Sequence, residues 1–113
     1  MNFSDYQTRS RVTANYPNAG DDFIYPTLGL VGEAGEFADK VKKLIRDQNV
    51  FKPSEVNDEL KRELKKELGD VLWYVANIAT EFKFDLDDVA QTNIDKLQSR
   101  MDRGMLGGDG DNR

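Results

Sequence analysis

Leu60, Leu64, Leu68, Val71, Val75, Ile78 and Phe82 recur at spacings of three and four, and this register most constrains what the chain can fold into. Such spacing lines one face of an α-helix. It predicts a helix over residues 54–82, with Pro53 tolerated near the first turn and Ser54 as its cap. Glu59 and Glu63 set against Lys61, Lys65 and Lys66 give its first half a charged, solvated side. The same period over residues 28–46 aligns Leu30, Val31, Ala34, Phe37, Ala38, Val41, Leu44 and Ile45. Pro26 stands ahead of that helix, and Lys42, Lys43 and Arg46 complement its C-terminal dipole. A third helix is predicted over residues 86–103, capped by Asp85, and a weaker one over residues 4–14. No segment alternates as a strand would. The chain is expected to be all-α, a helical bundle.

Composition then removes chemistries. The 113 residues suit one domain and include no cysteine and no histidine. Disulfides, thiolate zinc sites, cysteine nucleophiles, the Ser-His-Asp triad and histidine-ligated metals are all excluded. What remains is chemistry by carboxylates, lysines and hard metal ions. Sixteen basic against twenty-one acidic residues leave a net charge of −5, which disfavours a nucleic-acid partner. No apolar run approaches the roughly 20 residues of a membrane span, and the N-terminus does not read as a signal peptide. No membrane partner and a cytoplasmic location are expected. With only 38% hydrophobic residues, the bundle is expected to complete its core as a homo-oligomer. Residues 1–103 form the expected domain. Residues 104–113 hold four of the nine glycines and form a tail that is mobile in isolation, or orders over the site or a neighbouring subunit.

Two acidic clusters stand out on these helices. Glu33 and Glu36 lie three residues apart on one, Glu67 and Asp70 on the other, with Glu63 one turn before Glu67. Residues at i and i+3 are surface neighbours, so each pair converges. If the helices pack side by side, four carboxylates meet. Empty and fully ionised, they would repel by on the order of 20 kcal/mol before screening or proton uptake. Such a cluster calls for a cation, and an all-oxygen donor set suits Mg²⁺ or Mn²⁺. Ala34, Gly35 and Gly69 are expected to let the helices approach closely. The alternative is two ordinary solvated pairs, but both are embedded in apolar sequence with a glycine at each.

Three further features carry two readings each. Asn93, Lys96, Arg100 and Arg103 form a stripe that either binds phosphates opposite a metal or is a solvated face. Lys40 and Lys43 read as i, i+4 surface partners of nearby acids rather than as ligands. Trp73, Tyr74 and Asn77 either contact a base, by stacking and edge recognition, or belong to a core or interface.

The stretch Tyr25-Pro-Thr-Leu-Gly-Leu-Val-Gly-Glu-Ala-Gly-Glu-Phe-Ala-Asp-Lys-Val-Lys-Lys43, followed by Glu67-Leu-Gly-Asp-Val-Leu-Trp-Tyr74, resembles the MazG-like all-α nucleoside triphosphate pyrophosphohydrolases. Their E-x-x-E and E-x-x-D motifs match Glu33, Glu36, Glu67 and Asp70. Asn93-Ile-Asp-Lys96 resembles their phosphate-contacting N-x-x-K stretch, and the closing residues 103–113 resemble the ending of a subgroup. The thirty residues between Glu36 and Glu67 slightly exceed the family gap, which implies a longer loop. The resemblance implies hydrolysis of a nucleoside triphosphate to the monophosphate and pyrophosphate. It implies Mg²⁺ on the four carboxylates, Glu36 or Glu63 orienting water, and Asn93 and Lys96 steadying phosphates. It also implies a four-helix core completed by a second subunit, with dimers pairing into tetramers in some members. Other readings are an alarmone- or dUTP-preferring hydrolase, and a nucleotide-sensing or interaction dimer without turnover.

Overall fold

The computed structural model describes residues 1–112, and among them the chain is all-α, without a strand. Helix α1 spans Phe3–Arg11, α2 Ile24–Gln48, α3 Asp58–Glu81 and α4 Leu86–Asp102, with a single 3₁₀ turn at Pro53–Glu55 before α3. The helix starts differ from the sequence expectation where a better cap lies nearby. Asn57, not Ser54, caps α3, its side chain accepting from the Leu60 N–H at 2.9 Å, while Pro53 and Ser54 belong to the preceding 3₁₀ turn. The α2 helix begins before Pro26, because the Asp22 carboxylate accepts from the N–H groups of Ile24 and Tyr25. Pro26 then sits in the first turn, where its missing N–H has no partner to lose. Asp85 caps α4 as expected.

α2 and α3 form the most extensive helix contact. Their paired residues run in opposite directions. Gly29 meets Tyr74, and Lys40 lies beside Glu63 and Glu67, so the two helices are an antiparallel hairpin. α1 crosses the second half of α3, where Gln7 donates to the Thr80 hydroxyl. The turn from α3 to α4 is closed by Phe84 N–H to Ala79 carbonyl and Lys83 N–H to Thr80 carbonyl, with Lys83 at φ +61°. This is a Schellman motif, which satisfies the orphan carbonyls of the helix end.

The core that results is small. Ala76, Ala79 and Leu86 are buried against Tyr6 and Val75. Leu28, Val31, Leu68 and Leu72 on the hairpin, and Ile94, Leu97 and Met101 on α4, remain exposed. The radius of gyration is 17.0 Å, against roughly 13 Å for a compact chain of this length.

The loop between α1 and α2 is held by a buried polar network. Glu81, its side chain 2% exposed, accepts from the Tyr16 hydroxyl at 2.8 Å, from the Gly20 N–H at 2.8 Å and from Arg11 at 3.3 Å. Burial pushes the Glu81 carboxyl up, but the Gly20, Tyr16 and Arg11 donors outweigh it and hold the group below the usual range. Its folded value therefore lies below its unfolded value. The stability it contributes is complete above the ordinary carboxylate range and is lost as pH falls through the folded value. Glu81→Ala should cost about 2–3 kcal/mol by urea denaturation at pH 7, since three donors lose their acceptor. The difference from the native chain should shrink on acidification to pH 3.

Candidate metal centre

The antiparallel register of α2 and α3 brings Glu33, Glu67 and Asp70 together, with one carboxylate oxygen of each within 4.8 Å of the others. Two come from α3, as an i and i+3 pair, and one from α2, where Glu33 joins them and Glu36 does not. The spacing is set one turn away. A Cβ on Gly29 would fall inside the Tyr74 ring, so that ring rests directly on the α2 backbone. Gly29 lies four residues before Glu33, and Tyr74 four after Asp70, so the contact stacks on the carboxylates. The close approach expected at Gly35 and Gly69 is not made there: a Cβ at either position meets nothing within 4 Å. Ala34 is likewise exposed. The small residues on that side face outward.

Electrostatics at the cluster favour a cation. Two unit charges about 5 Å apart repel by about 3 kcal/mol at an effective dielectric of about 20, and less at the exposed Asp70. Burial, then the charges of Glu36 and Asp70, contact with Glu36 and the charge of Glu67 push the Glu33 carboxyl above its ordinary value. Glu33 Oε2 and Glu67 Oε2 are both buried without a hydrogen-bond partner. Buried acceptors left unpaired are costly, and a hard divalent cation among oxygen donors would satisfy both. The donor set therefore fits Mg²⁺ or Mn²⁺.

Glu36 stands beside this group, within hydrogen-bonding reach of Glu33, but does not belong to the tight three. Glu63 lies apart, with Lys40 Nζ 3.8 Å from its Oε2 and 3.9 Å from Glu67 Oε1. Lys40 thus bridges the helices and places a cation beside Glu67, a role its surface reading missed. Helical spacing places Lys40 on the stripe of Glu33 and Glu36 but does not show its partners across the hairpin. Lys43 does pair locally, with Asp39 at 2.9 Å.

The remaining candidates are not gathered at the carboxylates. α4 makes no contact with α2, so Asn93, Lys96 and Arg100 stand away from Glu33 and Glu36 within one chain. Asn93 is exposed, whereas Arg100 is only 3% exposed, enclosed by the tail. Trp73 donates to the Thr13 hydroxyl at 2.9 Å and packs edge-on to Tyr16 and Tyr74. Asn77, for which base-edge recognition was one of two readings, is fully buried. Its amide donates to the Trp73 carbonyl and its oxygen accepts from Arg11, so the shielded face of α3 leaves it no access to a base.

The chain belongs to the MazG nucleotide pyrophosphohydrolase domain family, whose model matches residues 26–105. It is also 50% identical over 118 residues, the whole of both chains, to the Gene 37 protein of Mycobacterium phage L5. No solved structure matches. The matched segment contains all four carboxylates of the two motifs.

Two substitutions probe the centre. Gly29→Ala should wedge α2 from α3 and weaken Mn²⁺ binding about tenfold or more, measured by electron paramagnetic resonance with helicity checked by circular dichroism. Unchanged affinity would mean that the Tyr74 contact does not set the spacing. Glu33→Gln removes a charge that opposes folding of the metal-free chain, so its Tm in EDTA should rise by about 2–5 °C at pH 7.5.

Proposed function

We propose that this chain is a Mg²⁺-dependent hydrolase that splits (deoxy)nucleoside triphosphates into a monophosphate and pyrophosphate, in control or house-cleaning of a cytoplasmic nucleotide pool. The observation that carries the reading is the convergence of Glu33, Glu67 and Asp70 with two buried carboxylate oxygens unpartnered. Family membership supports the reaction class. When bound, Mg²⁺ would polarise the phosphates and favour ionisation of a water molecule.

The chain's own groups divide the remaining work. Glu33, Glu67 and Asp70 hold the cation, and Glu36 completes its surroundings. Glu36 is also the better placed of the two water-orienting candidates, because it touches Glu33 while Glu63 is drawn aside by Lys40. Mn²⁺ substitutes for Mg²⁺ at the same oxygens. Tyr74, whose phenol is pushed up first by burial and then by Tyr25, Glu33 and Asp70, borders the cluster and is the aromatic nearest a bound nucleotide.

Asn93 and Lys96 reach the phosphates from a second copy of the chain. The separation of α4 from α2, the bare apolar residues of both, and the large radius of gyration support a homodimer. Among the described residues no helix is long and apolar enough to cross a membrane.

The test is phosphate release in the presence of added pyrophosphatase, over a panel of ribo- and deoxynucleoside triphosphates that includes dUTP, with guanosine tetraphosphate alongside. Turnover should require Mg²⁺ and vanish in EDTA, and Glu36→Gln should lower kcat at least 100-fold. Metal-independent release, or none from any nucleotide, would contradict the proposal. A Glu36→Gln loss confined to affinity would instead indicate a sensor. Light scattering should give two or four times the chain mass, and a monomer at micromolar concentration would contradict the shared site.

A further inference from the structure

The tail's path along α4 follows from two glycines and one arginine. Gly104, at φ +69°, ends α4 in a Schellman motif, its N–H on the Met101 carbonyl and the Met105 N–H on the Arg100 carbonyl. Gly110, at φ +83°, turns the chain again so that the next residue faces the helix. Asp111 then lies against Lys96 and Arg100, which sit one turn apart on α4. Its Oδ1 accepts from Lys96 Nζ at 3.1 Å and from Arg100 Nη2 at 3.4 Å. Arg100 Nη2 also donates to the Asp111 carbonyl at 2.8 Å and the Gly110 carbonyl at 3.4 Å.

Two features distinguish this clasp from an ordinary surface ion pair. The Arg100 side chain is only 4% exposed, while the Asp111 side chain is 82% exposed, so a solvated carboxylate closes over a desolvated cation. Arg100 Nε is also buried with no hydrogen-bond partner. A guanidinium engages phosphate through two parallel N–H groups. The tail engages Nη2 alone and leaves Nε wanting, a deficit that a tetrahedral anion with several oxygens can fill.

We propose that the C-terminal segment is a displaceable acidic latch: Asp111 occupies the anion position between Lys96 and Arg100, and a polyphosphate must expel it to bind there. The latch rests on the reading of Lys96 as a phosphate contact in the proposed hydrolase. Binding of the anion and docking of the tail are mutually exclusive, so each weakens the other by the same factor. Lys96 and Arg100 hold the Asp111 carboxyl below its ordinary range, which keeps it anionic against them. Substrate thereby exchanges one anion for another at the same cations, and residues 104–112 are released when it binds.

The experiment uses the full chain with Mg²⁺ at fixed ionic strength and titrates inorganic tripolyphosphate by calorimetry. Asp111→Asn, which keeps the side chain's size, should bind tripolyphosphate about fivefold more tightly than the native chain, and truncation after Leu106 should do so at least as strongly. In the native chain, saturating tripolyphosphate should speed amide exchange at residues 108–112. Displacement by orthophosphate at similar concentration would assign the position to any phosphate. Displacement only by tripolyphosphate and a non-hydrolysable nucleotide would assign it to the triphosphate of a nucleotide. Equal or weaker binding by both variants, or unchanged tail exchange at saturation, would overturn the latch. If no nucleotide is hydrolysed yet tripolyphosphate releases the tail, the latch stands and the hydrolase reading fails. If nucleotides are hydrolysed with the same KM in native chain and variants, the hydrolase stands and the latch fails.

Discussion

Glu33, Glu67 and Asp70 are held within 4.8 Å by two antiparallel helices, and much of the remaining structure compensates for that mutual repulsion. Lys40 leans across from α2 to within 3.9 Å of Glu67, partly offsetting it. The Tyr74 ring locks the helices one turn away, over the bare backbone of Gly29. The buried Arg11–Glu81–Tyr16 network fixes the far half of α3 against α1 and the loop beyond it. The Lys40 bridge and the Tyr74 contact keep α2 and α3 from relaxing apart, which would be the simplest way to relieve the charge.

The sequence register announced most of this framework. Hydrophobic residues at three and four placed α2, α3 and α4, and Asp85 was legible as a cap because a short acceptor preceded an apolar repeat. Helix starts were less legible, since capping is decided by side-chain reach rather than residue type. Asn57 and Asp22 reach the first free N–H groups of α3 and α2, which moved both boundaries. Glycine was misread for a related reason. Spacing alone cannot say which glycine faces a neighbour, and Gly29 does so where Gly35 and Gly69 do not.

At the site, the i, i+3 carboxylate pairs were legible because helix geometry makes such residues neighbours. Lys40 was not, because its partners, Glu63 and Glu67, lie across the hairpin rather than along its own helix. The two readings of Asn77 could not be separated by spacing, because it is a contact with α1 that encloses its side chain. The basic stripe of α4 was read as one unit, yet its members differ: Asn93 is open, Lys96 is paired with Asp111, and Arg100 is enclosed by the tail. A tertiary contact with the last residues of the chain decides that difference, and no local pattern on α4 encodes it.

The central claim is that these three carboxylates hold one divalent cation. Anomalous diffraction from crystals grown with Mn²⁺ tests it most directly. The account predicts a peak bounded by Glu33, Glu67 and Asp70, with Glu36 adjacent and Lys40 drawn back from Glu67. An ordered Mn²⁺ elsewhere on the chain, with these carboxylates empty at saturating metal, would contradict it.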